Sequence, residues 1–150
     1  MNNFELPDDL IIRDYREEDY DELVKLWYLT DMGSSVRGDS RETVRRTLDS
    51  GGKLLVMESI SGKQICGTSW MTCDGRRILL HHFGILPQFQ GKGLSKTLLN
   101  ESLQFVKEKG LQVKIEVHSS NVRAINLYRQ FGFKELGDFN VYIIRDLSNL

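Results

Sequence analysis

At 150 residues the chain has the length of one domain and can bury a core without disulfide or metal staples. Its 20 Lys and Arg against 21 Asp and Glu leave a net charge of -1, which gives no general pull toward nucleic acid or a membrane surface, so any anion site must be local. The two cysteines, Cys66 and Cys73, lack CxxC spacing, and with no secretory segment ahead of them they are expected to be reduced thiols of a cytoplasmic protein without a metal site.

The opening residues MNNFELPDDL have neither a basic nor an apolar signal region, and nowhere do about 18 apolar residues run together, so neither export nor a membrane-spanning helix is expected. Leu10 to Arg13 reads as a short strand. In YREEDYDELVKLWYL acidic residues crowd the first turn and Leu23, Leu26 and Trp27 keep helical spacing, which predicts the first helix. A loop from Asp31 to Asp39 leads to SRETVRRTLDSGG, a second helix opened by Ser40 and closed by Gly51. KLLVMESI and QICGTSWMT are strand-like runs joined by the hairpin residues SGK, and Asp74-Gly75 marks a further turn before RRILLHHFGIL. Three consecutive antiparallel strands follow from those turns.

From Leu94 to Lys109 the apolar residues Leu94, Leu98, Leu99, Leu103, Phe105 and Val106 form one helical stripe that ends at Gly110. LQVKIEVH alternates, with Leu111, Val113, Ile115 and Val117 on one face, and predicts a half-buried strand. SSNVRAINLYRQFGF reads as a capped helix and VYIIRDL as a closing strand. No repeat or linker interrupts the chain, so residues 1-150 are expected to form a single α/β domain of mixed α+β character rather than a regular βαβ winding.

The segment Gln90-Gly91-Lys92-Gly93-Leu94-Ser95 opens a helix directly after a strand. Helix-initial amides and the positive end of the helix dipole then converge, which suits an anion, although glycines also simply make such turns. The spacing fits neither a P-loop nor a dinucleotide-binding GxGxxG. Further on, NVRAINLYRQFGF spans Asn121 to Phe133. Together with ILPQFQGKGLSKTLL it resembles the two signature motifs of the GCN5-related N-acetyltransferase (GNAT) superfamily. The Arg/Gln-x-x-Gly-x-Gly/Ala pattern falls on Gln90, Gly93 and Ser95, and the second motif on Asn121, Ala124-Ile125, Leu127-Tyr128 and Gly132-Phe133. Ser95 stands where Gly or Ala is usual, and Gln90 where Arg is commoner.

The resemblance implies a central, mostly antiparallel mixed sheet of about six to seven strands flanked by about four helices. It implies acetyl-coenzyme A (acetyl-CoA) as cosubstrate and no metal, with the pyrophosphate on the amides of Gly91, Lys92, Gly93, Leu94 and Ser95 beside Gln90. The pantetheine arm would lie near Ile85 and Leu86, with Asn121 and Tyr128 as further cofactor contacts. Asn121 also reads as a helix cap, for which Ser120 competes, and Lys92 as either a ribose-phosphate contact or a solvated lysine.

By spacing alone Tyr128 sits on an apolar stripe, whereas the resemblance makes it the acid that protonates the departing thiolate. Glu116 falls where similar ribosomal-protein alanine acetyltransferases carry a proposed base, with a strand-face ion pair as its other reading. His81 and His82 are rival bases, as is ordered water; neighbours on a strand point to opposite faces, so only one histidine should face a cleft. Arg37, Arg41, Arg45 and Arg46 read either as a border for an acidic acceptor or as a solvated face. The expected activity is acetyl transfer to a primary amine (protein N-terminus, lysine or small-molecule amine) by direct attack, with no nucleic-acid or membrane partner. A noncatalytic acyl-CoA sensor or regulatory module and an ATP-binding protein are the alternatives. Acceptor identity and oligomeric state, a homodimer included, stay open at this level.

Overall fold

The computed structural model describes residues 4–33 and 37–150; part of the expected 31–39 loop therefore lies outside the described residues. The chain divides into two compact units, Met1–Ile115 and Glu116–Leu150.

The first unit is built on a five-stranded sheet in the order β1 (Leu10–Asp14), β2 (Lys53–Ser59), β3 (Gln64–Cys73), β4 (Arg77–Ile85) and β5 (Gln112–Ile115). The first four strands pair antiparallel, β2 with β3 and β3 with β4 through the tight turns that the sequence predicts after Ser59 and at Asp74-Gly75. β5 returns parallel to β4 because the helix between them, α3 (Leu94–Lys109), carries the chain back across the sheet. Two further helices, α1 (Tyr20–Leu29) and α2 (Arg41–Asp49), lie between β1 and β2. The mixed, mostly antiparallel sheet agrees with expectation; it has five strands rather than six to seven.

Alternation along β3 sorts the helices onto two faces. Thr68 and Trp70 face α1 and α2: the Trp27 indole N–H donates to Thr68 Oγ1 at 3.1 Å and the Trp70 indole N–H to Thr47 Oγ1 at 2.9 Å. Ser69 faces the other way, its hydroxyl 2.6 Å from that of Ser102 on α3. Trp27 and Trp70 stack with ring centroids 5.4 Å apart and are fully buried. Leu23, Leu26, Val44, Met57, Met71, Leu80, Leu98 and Leu99 complete the core on both faces. Truncating either indole to alanine would cost about 3–5 kcal/mol.

Strand pairing departs from regularity between β3 and β4. Thr68 pairs with Gly84 and Trp70 with His81, so His82 and Phe83 oppose the single residue Ser69. This is a β-bulge, and His82 adopts the left-handed region with φ of 44°.

The second unit contains α4 (Val122–Gln130), capped by the Asn121 side chain, which accepts from the Ala124 N–H at 3.2 Å. Ser120 is the rejected cap, its hydroxyl engaged instead with His118 Nδ1 at 2.7 Å. The predicted strand over 111–118 is shorter than expected, ending at Ile115, and VYIIRDL forms no strand. Its residues are exposed, Tyr142 at 89% and Ile143 at 68%. Strand-like side chains are present there, but no ladder hydrogen bonds define a strand.

Candidate active site

β4 leads through a turn of 3-10 helix at Pro87–Phe89 into the glycine loop and then α3. Both loop glycines have positive φ, 79° at Gly91 and 76° at Gly93, conformations that L side chains rarely adopt. Nothing lies within 4 Å of where a Cβ would stand on either one. The loop surface is therefore bare backbone ahead of the first amides of α3, of which the Lys96 N–H donates back to the Gly93 carbonyl at 3.2 Å. Beside it is a hollow of about 260 Å³ lined by Phe4, Glu5, Lys92, Gly93, Leu94, Lys96 and Thr97. Two lysines and a side-chain-free helix start are a donor set that fits a phosphate-bearing ligand. Lys92 Nζ rests 5.6 Å from the Phe89 ring centroid.

The loop is tied to the strand that precedes it. Gln90 Nε2 donates to the Ile85 carbonyl at 2.8 Å, and the Leu86 N–H to the Cys66 carbonyl at 2.8 Å. Pairing between β4 and β5 stops at Leu80 and Ile115, while β4 runs on to Ile85. Over residues 81–85, roughly 13 Å at 3.3 Å per residue, no described strand covers that edge of β4.

At the far end of this edge the bulge brings His81 and His82 together. The sequence predicted opposite faces for the two rings; the left-handed backbone at His82 breaks the alternation instead, and their Nδ1 atoms lie 2.6 Å apart. His82 Nε2 is 2.9 Å from Asp39 Oδ2, with side-chain exposures of only 10% and 11%. The His81 ring packs on Trp70 and the His82 ring on Trp27 and Trp70, with centroid distances of 4.5–4.9 Å. Burial drives the His81 imidazole down to about 3, helped by His82. Burial lowers His82 as well, against the opposing pull of Asp39. Gly33 leaves room for this contact, since a Cβ there would stand 2.6 Å from Asp39 Oδ2 and 3.0 Å from His82 Nε2 and would push the carboxylate aside.

In the second unit Tyr128 is buried, meets Phe133 edge-on at 5.7 Å, and has its phenol pushed up to about 12 by burial. Glu116 lies beyond the end of β5 and is exposed, so it is not a strand-face residue.

A sequence model described as "Acetyltransferase (GNAT) family" matches residues 9–133. The chain belongs to the GNAT family. Solved structures with the same fold include an acetyltransferase from Streptococcus agalactiae, 16% identical over 91% of this chain and 92% of that one, with a TM-score of 0.77. A GNAT acetyltransferase from Elizabethkingia anophelis with acetyl-CoA bound is 20% identical over 85% and 78% of the two chains, with a TM-score of 0.62. The Escherichia coli acetyltransferase acting on a ribosomal-protein alanine is 20% identical over 84% and 78%, with a TM-score of 0.70.

Within this GNAT chain the expected loop residues, Gln90 to Ser95, sit together with Ile85 and Leu86 at one end of the open β4 edge. The arginines expected near an acceptor are engaged locally: Arg41 pairs with Glu17 and Asp21, Arg45 with Glu17, and Arg37 donates to the Met32 carbonyl. Neither cysteine joins the site, and burial pushes the Cys66 thiol up to about 11, leaving it un-ionised at neutral pH. Among the described residues no group of three His, Cys, Asp or Glu side chains is arranged to hold a metal, and no helix is long and apolar enough to cross a membrane. Sequence reasoning missed Asp39 as a site residue, and nothing in its local pattern marked it; only the fold brings it 43 positions along the chain to His82.

Proposed function

We propose that this protein transfers an acetyl group from acetyl-CoA to a primary amine by direct attack, with residues 1-150 acting as one acetyltransferase domain in the cytoplasm. The observation that carries the reading is the bare glycine loop at the head of α3, reached along the uncovered edge of β4. When bound, acetyl-CoA supplies an acetyl thioester, the bond that the amine breaks. Loop amides from Gly91 to Ser95 and the nearby Lys92 hold the pyrophosphate, because converging backbone dipoles bind an anion without reorganising. Gln90 fixes the loop to the Ile85 carbonyl, and Ile85 and Leu86 begin the track for the pantetheine arm. Asn121 caps α4 through Oδ1, which leaves its amide N–H groups for a cofactor contact.

Tyr128 protonates the departing sulfur. Its phenol stays neutral across the physiological range, as a proton donor must, and general acid catalysis of this kind contributes about 10²–10⁴-fold. The acceptor ammonium must first lose a proton, for which Glu116 and the His81–His82 pair are the available groups. The acceptor is a primary amine, whether protein N-terminus, lysine or small molecule.

Calorimetry with acetyl-CoA, followed by mass-spectrometric detection of acetylated products over a panel of spermidine, kanamycin, a lysine derivative and a peptide with a free N-terminal alanine, tests this reading. Micromolar cofactor binding with turnover of at least one amine is expected. Tight binding with no turnover on any amine would favour a sensor module, and equal competition by ATP would favour a nucleotide site.

A further inference from the structure

We propose that His81 is the group that takes the proton from the acceptor ammonium, held in the required tautomer by His82 and Asp39 as positioning residues. The inference rests on amine acetylation as the protein's activity and names a residue for a step which that reading leaves unassigned.

The hydrogen-bond chain permits one neutral arrangement. Asp39, as a carboxylate, only accepts, so the His82 Nε2 that lies 2.9 Å from it carries the proton. Neutral His82 then presents a lone pair at Nδ1. The 2.6 Å contact between the two Nδ1 atoms needs one donor, which must be His81. His81 Nδ1–H is thereby committed to His82, and the lone pair of His81 is left on Nε2. A chain of this form fixes a ring nitrogen as a proton acceptor by the hydrogen bond its partner makes.

Position agrees with the role. His81 is the first β4 residue past the end of pairing with β5, at the opposite end of the 81–85 edge from the glycine loop. Both rings are half-buried: His82 is enclosed by Trp27, Trp70 and Asp39, while His81 packs on Trp70 and His82. The left-handed backbone at His82 is an uncommon conformation for a residue with a side chain and is retained where the surroundings over-determine it.

The proton balance closes without a further reactant. The ammonium gives one proton to His81 Nε2, and His81 Nδ1–H passes to His82 Nδ1, so the positive charge comes to rest against Asp39. The freed nitrogen lone pair forms the C–N bond to the acetyl carbonyl carbon, the C–S bond breaks, and the electron pair leaves with sulfur. A second nitrogen proton reaches that sulfur by way of the Tyr128 hydroxyl, the third stays on the amide, and His82 returns its proton to solvent. The ionisable groups facing the pair are Asp39 and Arg37 from the segment between α1 and α2, with Tyr20 near Asp39 and Arg41 over the Tyr20 ring. Burial lowers both imidazoles, which leaves the Nε2 lone pair present at neutral pH and disfavours a cation on His81, so the two proton transfers run together and leave the charge on His82 beside Asp39.

Nitrogen-15 NMR of the ring nitrogens in the free, folded protein at pH 7 reads the tautomers directly. The expected pattern is a proton on His81 Nδ1 and on His82 Nε2, with bare His81 Nε2; a protonated His81 Nε2 overturns the proposal. In acetylation assays on whichever panel amine turns over fastest, His81→Gln should lower kcat by about 10²–10⁴-fold with the KM for acetyl-CoA nearly unchanged. Asp39→Asn should lower kcat and move the acid limb of the pH-rate profile to lower pH, since the carboxylate raises proton affinity at His82; Asp39→Glu should restore part of both. A merely structural Asp39 would leave the limb in place, and that result refutes the relay. Turnover by His81→Gln within about threefold of the parent also overturns it, most clearly if Glu116→Gln then carries the loss. Bound acetyl-CoA with no amine turned over counts against His81 as a base. Failure of acetyl-CoA to bind sinks the reading of function instead, and the tautomers then decide the hydrogen-bond chain alone.

Discussion

Gln90 Nε2 donates to the carbonyl of Ile85 at 2.8 Å, which clamps the start of the glycine loop to the last residue of β4. The sequence motif suggests a cofactor contact for this glutamine, and its hydrogen bond also ties the loop to the strand before it. Gln90→Ala removes a bond worth about 0.5–1.5 kcal/mol. Acetyl-CoA affinity measured by calorimetry should weaken by up to roughly tenfold, with little change in the melting temperature.

Gly93 combines a φ of 76° with open space around the missing side chain. Gly93→Asp places a carboxylate where pyrophosphate would sit, and should abolish acetyl-CoA binding in a folded protein. Gly93→Asn tolerates the same backbone without the charge and should retain measurable binding. Equal affinity in the Asp variant and the parent, by the same calorimetric titration, would reject this loop as the phosphate site.

Replacing Tyr128 with Phe keeps the edge-on packing against Phe133 and removes only the hydroxyl. With an acid role, kcat should fall by about 10²–10⁴-fold while acetyl-CoA affinity holds. A packing role predicts turnover within a few-fold of the parent, in a steady-state assay where chemistry limits the rate.

Much of this was readable in the sequence, for reasons that differ by element. α1 and α3 are legible because their apolar residues recur at helical spacing and their ends carry acidic residues or Gly110. β2, β3 and β4 are legible because tight turns leave antiparallel pairing as the short connection. VYIIRDL misled because β-branched and aromatic content reports side-chain character, whereas a strand also needs a partner edge. The His81–His82 contact was hidden since alternation assumes regular φ, and one left-handed residue turns both rings to the same side. Asp39 was invisible for a related reason: a carboxylate in a loop acquires its partner only when tertiary structure folds that loop onto β4.

Acid should unfold the protein in two stages of different origin. The imidazoles of His81 and His82 are held below their usual range near 6.5. The unfolded chain therefore binds protons first, and their contribution to stability, complete above 6.5, declines as pH falls below it, for His81 down to about 3. At Asp19 burial pushes the carboxyl up, but bidentate Arg13 at 2.8 Å and the Arg16 amide outweigh it, and the net direction is down. Its contribution is present above the ordinary carboxylate value near 3.9 and is lost only below that. Urea midpoints measured from pH 7 to 3 should fall throughout. His81→Phe should flatten the part above about 4.5, leaving the lower part intact.

Gly33→Ala tests the same corner through the backbone. A Cβ 2.6 Å from Asp39 Oδ2 must displace the carboxylate from His82. Turnover should fall as in Asp39→Asn, and a crystal structure of the variant should show the 2.9 Å contact broken.

Both tryptophans of the chain, Trp27 and Trp70, stack on each other and touch the histidine pair. All tryptophan emission from this protein thus originates in rings packed against the histidine pair, Trp27 on His82 and Trp70 on both, and protonated imidazole is an efficient quencher of indole. A dye-free fluorescence titration should therefore follow the charge on the pair, and if the pair relays the acceptor's proton, a stopped-flow trace should show the same quenching within a single turnover.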